Sequence, residues 1–328
     1  MPRHASFNYA PLLASVSRTF YLSIRLLPRQ VREPIALAYL LARASDTIAD
    51  RAEAPAEVRL RHLARFGEAI AHGDTSQLAA IATGISSPHA GERELLQKLE
   101  PCIDWLNALP AFDGSAIRSV AQQIVRGQSQ DLERFAGGGE VIALPDAAAL
   151  EEYTYLVAGC VGEFWSDVCA HYLPRYSEMP LPALRVLGRE FGQGLQLVNI
   201  LRDLPADLSM GRCYLPADEL RAAGADPAAL TADSARPVFS CWHRRAEVLL
   251  DSGRRYIAAV RPARIRSGCF LPWHLGVKTL RLIKEHPPLE APVRVKVSRG
   301  VVRRAVLLSF VAAFSDRPLS GKERNLSA

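Results

Sequence analysis

The chain has 328 residues, 49% hydrophobic and 23% charged, with 21 Gly and 22 Pro, which is the composition of an ordinary folded protein and excludes disorder, collagen-like repeats and low complexity as its main architecture. Forty Lys and Arg against 34 Asp and Glu give a formal net charge of +6, a balance that suits an acidic small molecule or an anionic lipid surface. Nucleic acid is not expected as a partner, because the one Arg-rich stretch, Arg294 to Arg304, alternates with Val and lacks the aromatic residues that stack on bases.

Apolar residues at helical spacing predict helices over residues 10–27, 31–50, 56–72, 91–108, 114–136, 147–173, 180–208, 235–260, 266–284 and 300–314. Breakers separate them at Gly73 to Pro88, at Gly137-Gly138-Gly139 to Pro145, and at Pro287-Pro288. Strand-like alternation is short and is clearest at Val293, Val295 and Val297. The expected fold is therefore all-α, one helical domain over residues 1–328 with its core at about 10–314. The six cysteines, at 102, 160, 169, 213, 241 and 269, include no CxxC pair and read as reduced, mostly buried thiols of a cytoplasmic protein. No convincing signal peptide opens the chain, and the longest apolar run, Ala305 to Phe314, is about half of what a bilayer crossing needs. A peripheral contact with the inner face of a membrane, for product release, is compatible with this reading.

Two acidic segments carry the chemistry. In Tyr39-Leu-Leu-Ala-Arg43-Ala-Ser-Asp46-Thr-Ile-Ala-Asp50, residues 39, 43, 46 and 50 form one helical stripe, and Leu37, Leu41, Ala44 and Ile48 form an apolar stripe behind it. In Gln196-Leu-Val-Asn199-Ile-Leu-Arg202-Asp203-Leu-Pro-Ala-Asp207 the design repeats, with Gln196, Asn199, Asp203 and Asp207 on one stripe. One Asp pair four residues apart is expected by chance roughly once in such a composition, and most are solvated helix faces. Two pairs, each extended into a matching polar stripe, point to a shared cation. Hard cations such as Mg²⁺ take oxygen ligands and commonly combine one or two carboxylates with substrate phosphate oxygens. Arg18, Arg43 and Arg202 would add fixed positive charge for the same phosphates.

These residues resemble the squalene and phytoene synthase family from about Ser17 to about Gly300, in Ser17-Arg18-Thr19-Phe20, in the two acidic segments, in Tyr153-Thr-Tyr-Leu-Val157-Ala158-Gly159 and in Gly211-Arg212-Cys-Tyr-Leu215-Pro216. The resemblance implies an isoprenoid-synthase helical bundle around a central apolar cavity. In it Asp46, Asp50, Asn199, Asp203 and Asp207 would position Mg²⁺ and diphosphate. Ser17, Arg18, Arg43 and Arg212 would contact phosphate, with Tyr39, Gln196 and Arg202 also in the substrate site. Tyr153 would stand beside the allylic cation formed when a prenyl diphosphate ionises.

The segment Val295-Lys296-Val297-Ser298-Arg299-Gly300 resembles the basic stretch of squalene synthases, so Lys296 and Arg299 would contact NADPH without a Rossmann motif. A solvated surface, or a contact with anionic lipid, is the alternative reading of the same residues. Cys269-Phe-Leu-Pro272 would line the second half of the pocket, and His274 is expected to be a packed residue. Pro205 is expected to end or kink the second acidic helix. The implied activity is Mg²⁺-dependent head-to-head condensation of two farnesyl diphosphates to presqualene diphosphate and NADPH-dependent reduction to squalene. Condensation without reduction, to phytoene, dehydrosqualene or presqualene diphosphate, is the alternative; a helical binding or scaffold protein is the non-enzymatic one.

Overall fold

The computed structural model describes residues 8–17, 19–50, 54–136, 140–291 and 294–319. Its helices, in chain order, are α1 (Tyr9–Val16), α2 (Thr19–Leu26), α3 (Arg29–Ala49), α4 (Ala56–His72), α5 (Ala79–Gly84), α6 (Ala90–Gln97), α7 (Leu99–Ala108), α8 (Ala111–Arg134), α9 (Ala147–Thr154), α10 (Cys160–Tyr172), α11 (Leu181–Ser209), α12 (Ala217–Ala222), α13 (Ala232–Ala259), α14 (Ala263–Glu285) and α15 (Arg299–Ala312). A π-helical turn, Tyr155–Gly159, joins α9 to α10. The all-α expectation holds, and the buried apolar residues form one contiguous core.

The differences from the sequence reading lie at breaks and pairings. The helix expected over 10–27 is two, because Ser17 is extended (φ −134°, ψ 107°), and the one expected over 91–108 breaks at Lys98. A short helix, α5, forms inside the Gly73–Pro88 breaker. Pro205 does not end the second acidic helix: α11 runs through it to Ser209. Leu201 and Leu204, both buried, hold that turn against the core, while Pro205 itself faces outward, so the missing amide bond is on the solvent side. Residues 294–298 have no strand, and Val293 lies outside the described residues, as do the glycines at 137–139. The sheet present instead is a parallel pair of β1 (Ile142–Leu144) and β2 (Arg212–Pro216), registered Ile142 to Arg212 and Ala143 to Cys213. It ties the loop before α9 to the end of α11.

Six segments enclose the centre: α3, α8, the π turn with α10, α11, α13 and α14. α3 packs on α8 and α10, and α11 packs on α10, α13, α14 and the π turn. The α10–α11 crossing is close because each helix presents a glycine. A Cβ built on Gly162 would lie 1.9 Å from the Gly188 carbonyl oxygen, and one on Gly188 would lie 2.6 Å from that of Gly162. The helices can therefore touch backbone to backbone, and both glycines also line the central cavity. A π turn widens a helix locally and often sits at a functional site; here Val157 and Ala158 of that turn face the cavity.

Candidate active site

The central cavity has a volume of about 310 Å³. Its walls are mostly apolar, with Ile24, Ile35, Ile124, Phe164, Phe191 and Leu195 among them. On α3 the lining runs from Ile35 through Tyr39 to Asp46, and on α11 from Gly188 through Gln196 to Asn199. Each run spans twelve residues, about 16 Å of helix. Both helices proceed from apolar to polar in the chain direction, so the two acidic segments reach the same end of one cavity. Deeper in, the Tyr256 hydroxyl is held by Tyr176 (2.6 Å) and Ser166 (2.9 Å), and Cys269 and Pro272 of α14 complete the wall. His274 is buried and stacks on Phe270, 5.3 Å between ring centroids, as a packed residue.

The first acidic pair ends α3. Asp46 accepts a hydrogen bond from Gln128 Nε2 of α8 at 2.6 Å, and Arg43 Nη1 lies 3.9 Å from its carboxylate. Arg43 is oriented from the other side by buried Glu92, 2.5 Å away, which also accepts from Ser87. The Asp46 side chain is 37% exposed, but that surface opens into the cavity. Burial, and then the Asp50 carboxylate, push its carboxyl up to about 7. Asp50 is the C-cap of α3, and Arg59 of α4 donates to the Ala49 carbonyl at 2.6 Å, holding that end of the helix.

The second pair lies on the last turns of α11. Burial, followed by the Asp203 carboxylate, pushes the Asp207 carboxyl up to about 7 as well. Asp203 is gripped by two guanidiniums: Arg202 donates at 2.9 and 2.5 Å, and Arg294, from the segment before α15, donates at 2.7 and 2.6 Å. These charge-assisted bonds outweigh the opposing effect of burial and hold Asp203 below the usual carboxylate range. Arg202 thus faces its neighbouring Asp203 instead of the cavity. Asn199 Nδ2 bonds Gln196 Oε1 at 3.4 Å, leaving the Asn199 amide oxygen for another partner.

Between the pairs stands Asp131 of α8. It is buried, and it accepts from Tyr214 Oη at 2.7 Å and from Arg212 Nη1 at 3.2 Å, both on β2. Its charge is felt at Arg212, Asp207 and Tyr153, and Asp50 in turn acts on Asp131 and Arg212. The Tyr153 ring stacks on Tyr214, 4.9 Å between centroids. Burial, then the Asp131 charge, raise the Tyr153 phenol well above its ordinary range, so it stays protonated at physiological pH. Ser17 is buried beside Tyr39, whose hydroxyl also reaches the Val16 carbonyl at 3.4 Å. Arg18 lies outside the described residues.

Tyr39, Asp46, Gln196 and Asn199 thus line the cavity, and Arg43, Asp50, Tyr153, Asp203, Asp207 and Arg212 belong to the charged network that continues from its acidic end. The structure does not bring Lys296 or Arg299 there. Both are exposed, and Lys296 borders a separate depression shared with Glu285 and Glu290. Acidic neighbours of that kind do not fit a phosphate-rich dinucleotide. Sequence reasoning missed Gln128, Asp131, Tyr214, Arg59 and Arg294. The stripe Ile124, Gln128, Asp131 on α8 was the available signal, since its period is that of the two acidic stripes.

The oxygen donors fit a hard divalent cation. Among the described residues no three His, Cys, Asp or Glu side chains form a ready-made metal nest. Each helix instead offers a mutually repelling carboxylate pair, and Mg²⁺ is usually held in this way, with its remaining positions filled by water and phosphate oxygen.

An all-helical shell around an apolar cavity with two acidic helices at one end defines the class: the helical isoprenoid-synthase fold. The structure of TcSQS with the ligand BPH1237 superposes with a TM-score of 0.74 and 21% identity, covering 97% of this chain and 92% of that one. The squalene synthase HpnC from Alicyclobacillus acidocaldarius gives 0.59 and 21%, covering 84% and 91%. The family model described as squalene/phytoene synthase matches residues 13–301, and the chain belongs to that family.

Among curated relatives, presqualene diphosphate synthase from Rhodopseudomonas palustris is 30% identical over 68% of this chain and 68% of its own length. The Sinorhizobium fredii protein of the same name is 28% identical over 90% and 94%. A bifunctional lycopene cyclase/phytoene synthase from Colletotrichum graminicola is 31% identical over 66% of this chain, and the match spans only 35% of that longer protein. Among the described residues no helix is long and apolar enough to cross a membrane.

Proposed function

We propose that the protein condenses two farnesyl diphosphates head to head, releasing diphosphate and forming presqualene diphosphate. The observation that carries this reading is one apolar cavity whose polar end is framed by Asp46 of α3 and Asn199 of α11, with a second carboxylate pair on the following turns. The names of the Rhodopseudomonas and Sinorhizobium relatives support the same product.

Asp46, Asp50, Asn199, Asp203 and Asp207 would hold Mg²⁺, which neutralises diphosphate and favours its departure. Arg43 and Arg212, fixed by Glu92 and Asp131, present guanidinium forks to the phosphate oxygens. Arg59 stands beside Arg212, and burial followed by that second positive charge lowers its pKa, so an added anion relieves the repulsion. The apolar walls exclude water from the allylic cation until the double bond of the second molecule attacks it. Tyr153, held flat against Tyr214, offers its ring face to that cation. Its protonated hydroxyl can take up a proton only by passing its own on in concert, and departing diphosphate would serve as the final acceptor.

Reduction onward to squalene is the second reading. It is favoured by the likeness to the squalene synthase HpnC, and its reductant would have to reach the cavity by a route other than Lys296 and Arg299. Purified protein incubated with farnesyl diphosphate and Mg²⁺, with and without NADPH, separates the readings by product analysis. Presqualene diphosphate in both arms supports the first, squalene only with NADPH supports the second, and turnover restricted to longer prenyl diphosphates refutes both.

A further inference from the structure

The last described helix is built inside out. The face of α15 that packs on α14 carries small residues, Ala305, Ser309 and Ala312, all buried. Its outer face carries the large ones: Leu307 is 68% exposed, Phe310 52%, Val311 48%, and Phe314, in the turn that follows, 87%. At 100° per residue these four fall within an arc of about 100°, a single continuous stripe. The other exposed large apolar residues among those described, Phe112, Val186, Met210 and Val248, are scattered singly on other helices or, for Met210, just past the end of α11.

The stripe is held rigidly. Ser267 of α14 donates to the Ser309 carbonyl at 2.7 Å, and buried Arg266 donates to the Ala312 carbonyl at 2.9 Å. The same guanidinium bonds the Ala258 and Val260 carbonyls at 3.2 and 3.1 Å and pairs with Asp316. The outward apolar side chains are thus part of a fixed surface.

The charge that α15 itself presents has one sign. Helix α15 contains no Asp or Glu, and Arg299, Arg303 and Arg304 are all exposed in its first turns. Arg303 and Arg304 precede Leu307 by four and three residues, so they border the stripe directly.

We propose that the outer face of α15 is a docking surface for an anionic lipid membrane. Leu307, Phe310, Val311 and Phe314 enter the acyl boundary, and Arg303 and Arg304 lie at the headgroup phosphates. An amphipathic helix with an apolar stripe and a basic border binds anionic interfaces by this combination. On its opposite side α15 packs on α14, whose Gly268, Cys269 and Pro272 line the cavity, so the bilayer would lie one helix layer from the apolar end. The proposal rests on the condensation reading only in that a lipid-soluble product gives the docking a purpose.

Flotation of the full-length chain tests it without substrate, so its outcome is independent of the reaction. Vesicles of phosphatidylcholine with about 30% phosphatidylglycerol should carry the wild type upward, and pure phosphatidylcholine vesicles should carry about fivefold less. The exposed double substitution Phe310→Ser with Phe314→Ser should lower the floated fraction about tenfold, with an unchanged Tm and unchanged turnover of detergent-dispersed substrate. Arg303→Glu should weaken binding to the anionic vesicles alone. Wild type that stays in the aqueous layer with both vesicles, or a double variant that floats like wild type, overturns the proposal. So does light scattering that shows a dimer abolished by the same double substitution, since a second copy of the chain would then be what covers the face.

Discussion

Adding Mg²⁺ to the metal-free protein should drive protons off it, in a number fixed by the two acidic helices. The Asp46 and Asp207 carboxyls each titrate at about 7, because each is buried beside another carboxylate. At pH 7 each is therefore about half protonated, whereas a metal ligand must be ionised, so binding should release about one proton in all. The number rises toward two near pH 6 and falls toward zero near pH 8. Calorimetric titration with Mg²⁺ alone, in two buffers with different ionisation heats, reads this number from the difference between the observed enthalpies. Asp207→Asn should remove about half of the release, and Asp46→Asn with Asp207→Asn nearly all of it. Binding heats that are the same in both buffers at pH 7, or unchanged in the double variant, would refute the claim that these carboxylates repel each other until a cation arrives.

The same pKa values set a stability profile. A carboxyl raised from about 4 when unfolded to about 7 when folded binds more protons in the native state, so its contribution is present below pH 4 and lost as pH rises to 7. Metal-free Asp46→Asn with Asp207→Asn should accordingly have a higher Tm than wild type at pH 7.5 and not at pH 4.5, as followed by thermal denaturation. Asp203 has the opposite sign, its stabilisation being present above pH 4 and lost on acidification. Arg294→Gln should tighten Mg²⁺ or Mn²⁺ binding about two- to fivefold, because a half-exposed ion pair is worth up to about 1 kcal/mol and no longer competes for Asp203; Mn²⁺ titration by electron paramagnetic resonance measures it. Gly162→Ala should lower stability by about 3 kcal/mol or more in urea denaturation, since a Cβ cannot share space with the Gly188 carbonyl 1.9 Å away.

The two acidic stripes were legible because a helix repeats its faces every three to four residues, so Asp46 with Asp50 and Asp203 with Asp207 declare themselves within a dozen residues. What joins the pairs was harder to read. Asp131 and Gln128 are single polar residues on a helix about 80 residues from the groups they hold, and nothing in their own neighbourhood names Tyr214 or Asp46 as partner. Arg294 reaches Asp203 across 91 residues from a segment without regular structure, so no periodicity could place it. The parallel pairing of β1 and β2 escaped for a related reason, since strands of three and five residues leave almost no alternation to detect. Pro205 shows local propensity losing to packing, with Leu201 and Leu204 keeping the helix whole.

In the proposed reaction α3 and α11 share divalent ions at one end of an apolar cavity. Crystals grown with Mn²⁺ and a non-ionising thio analogue of farnesyl diphosphate would test it through anomalous scattering. Mn²⁺ peaks should bridge the analogue's diphosphate to Asp46 or Asp50 on one side and to Asn199, Asp203 or Asp207 on the other, with Arg294 withdrawn from Asp203. Peaks confined to one helix, or a diphosphate bound away from both, would contradict it.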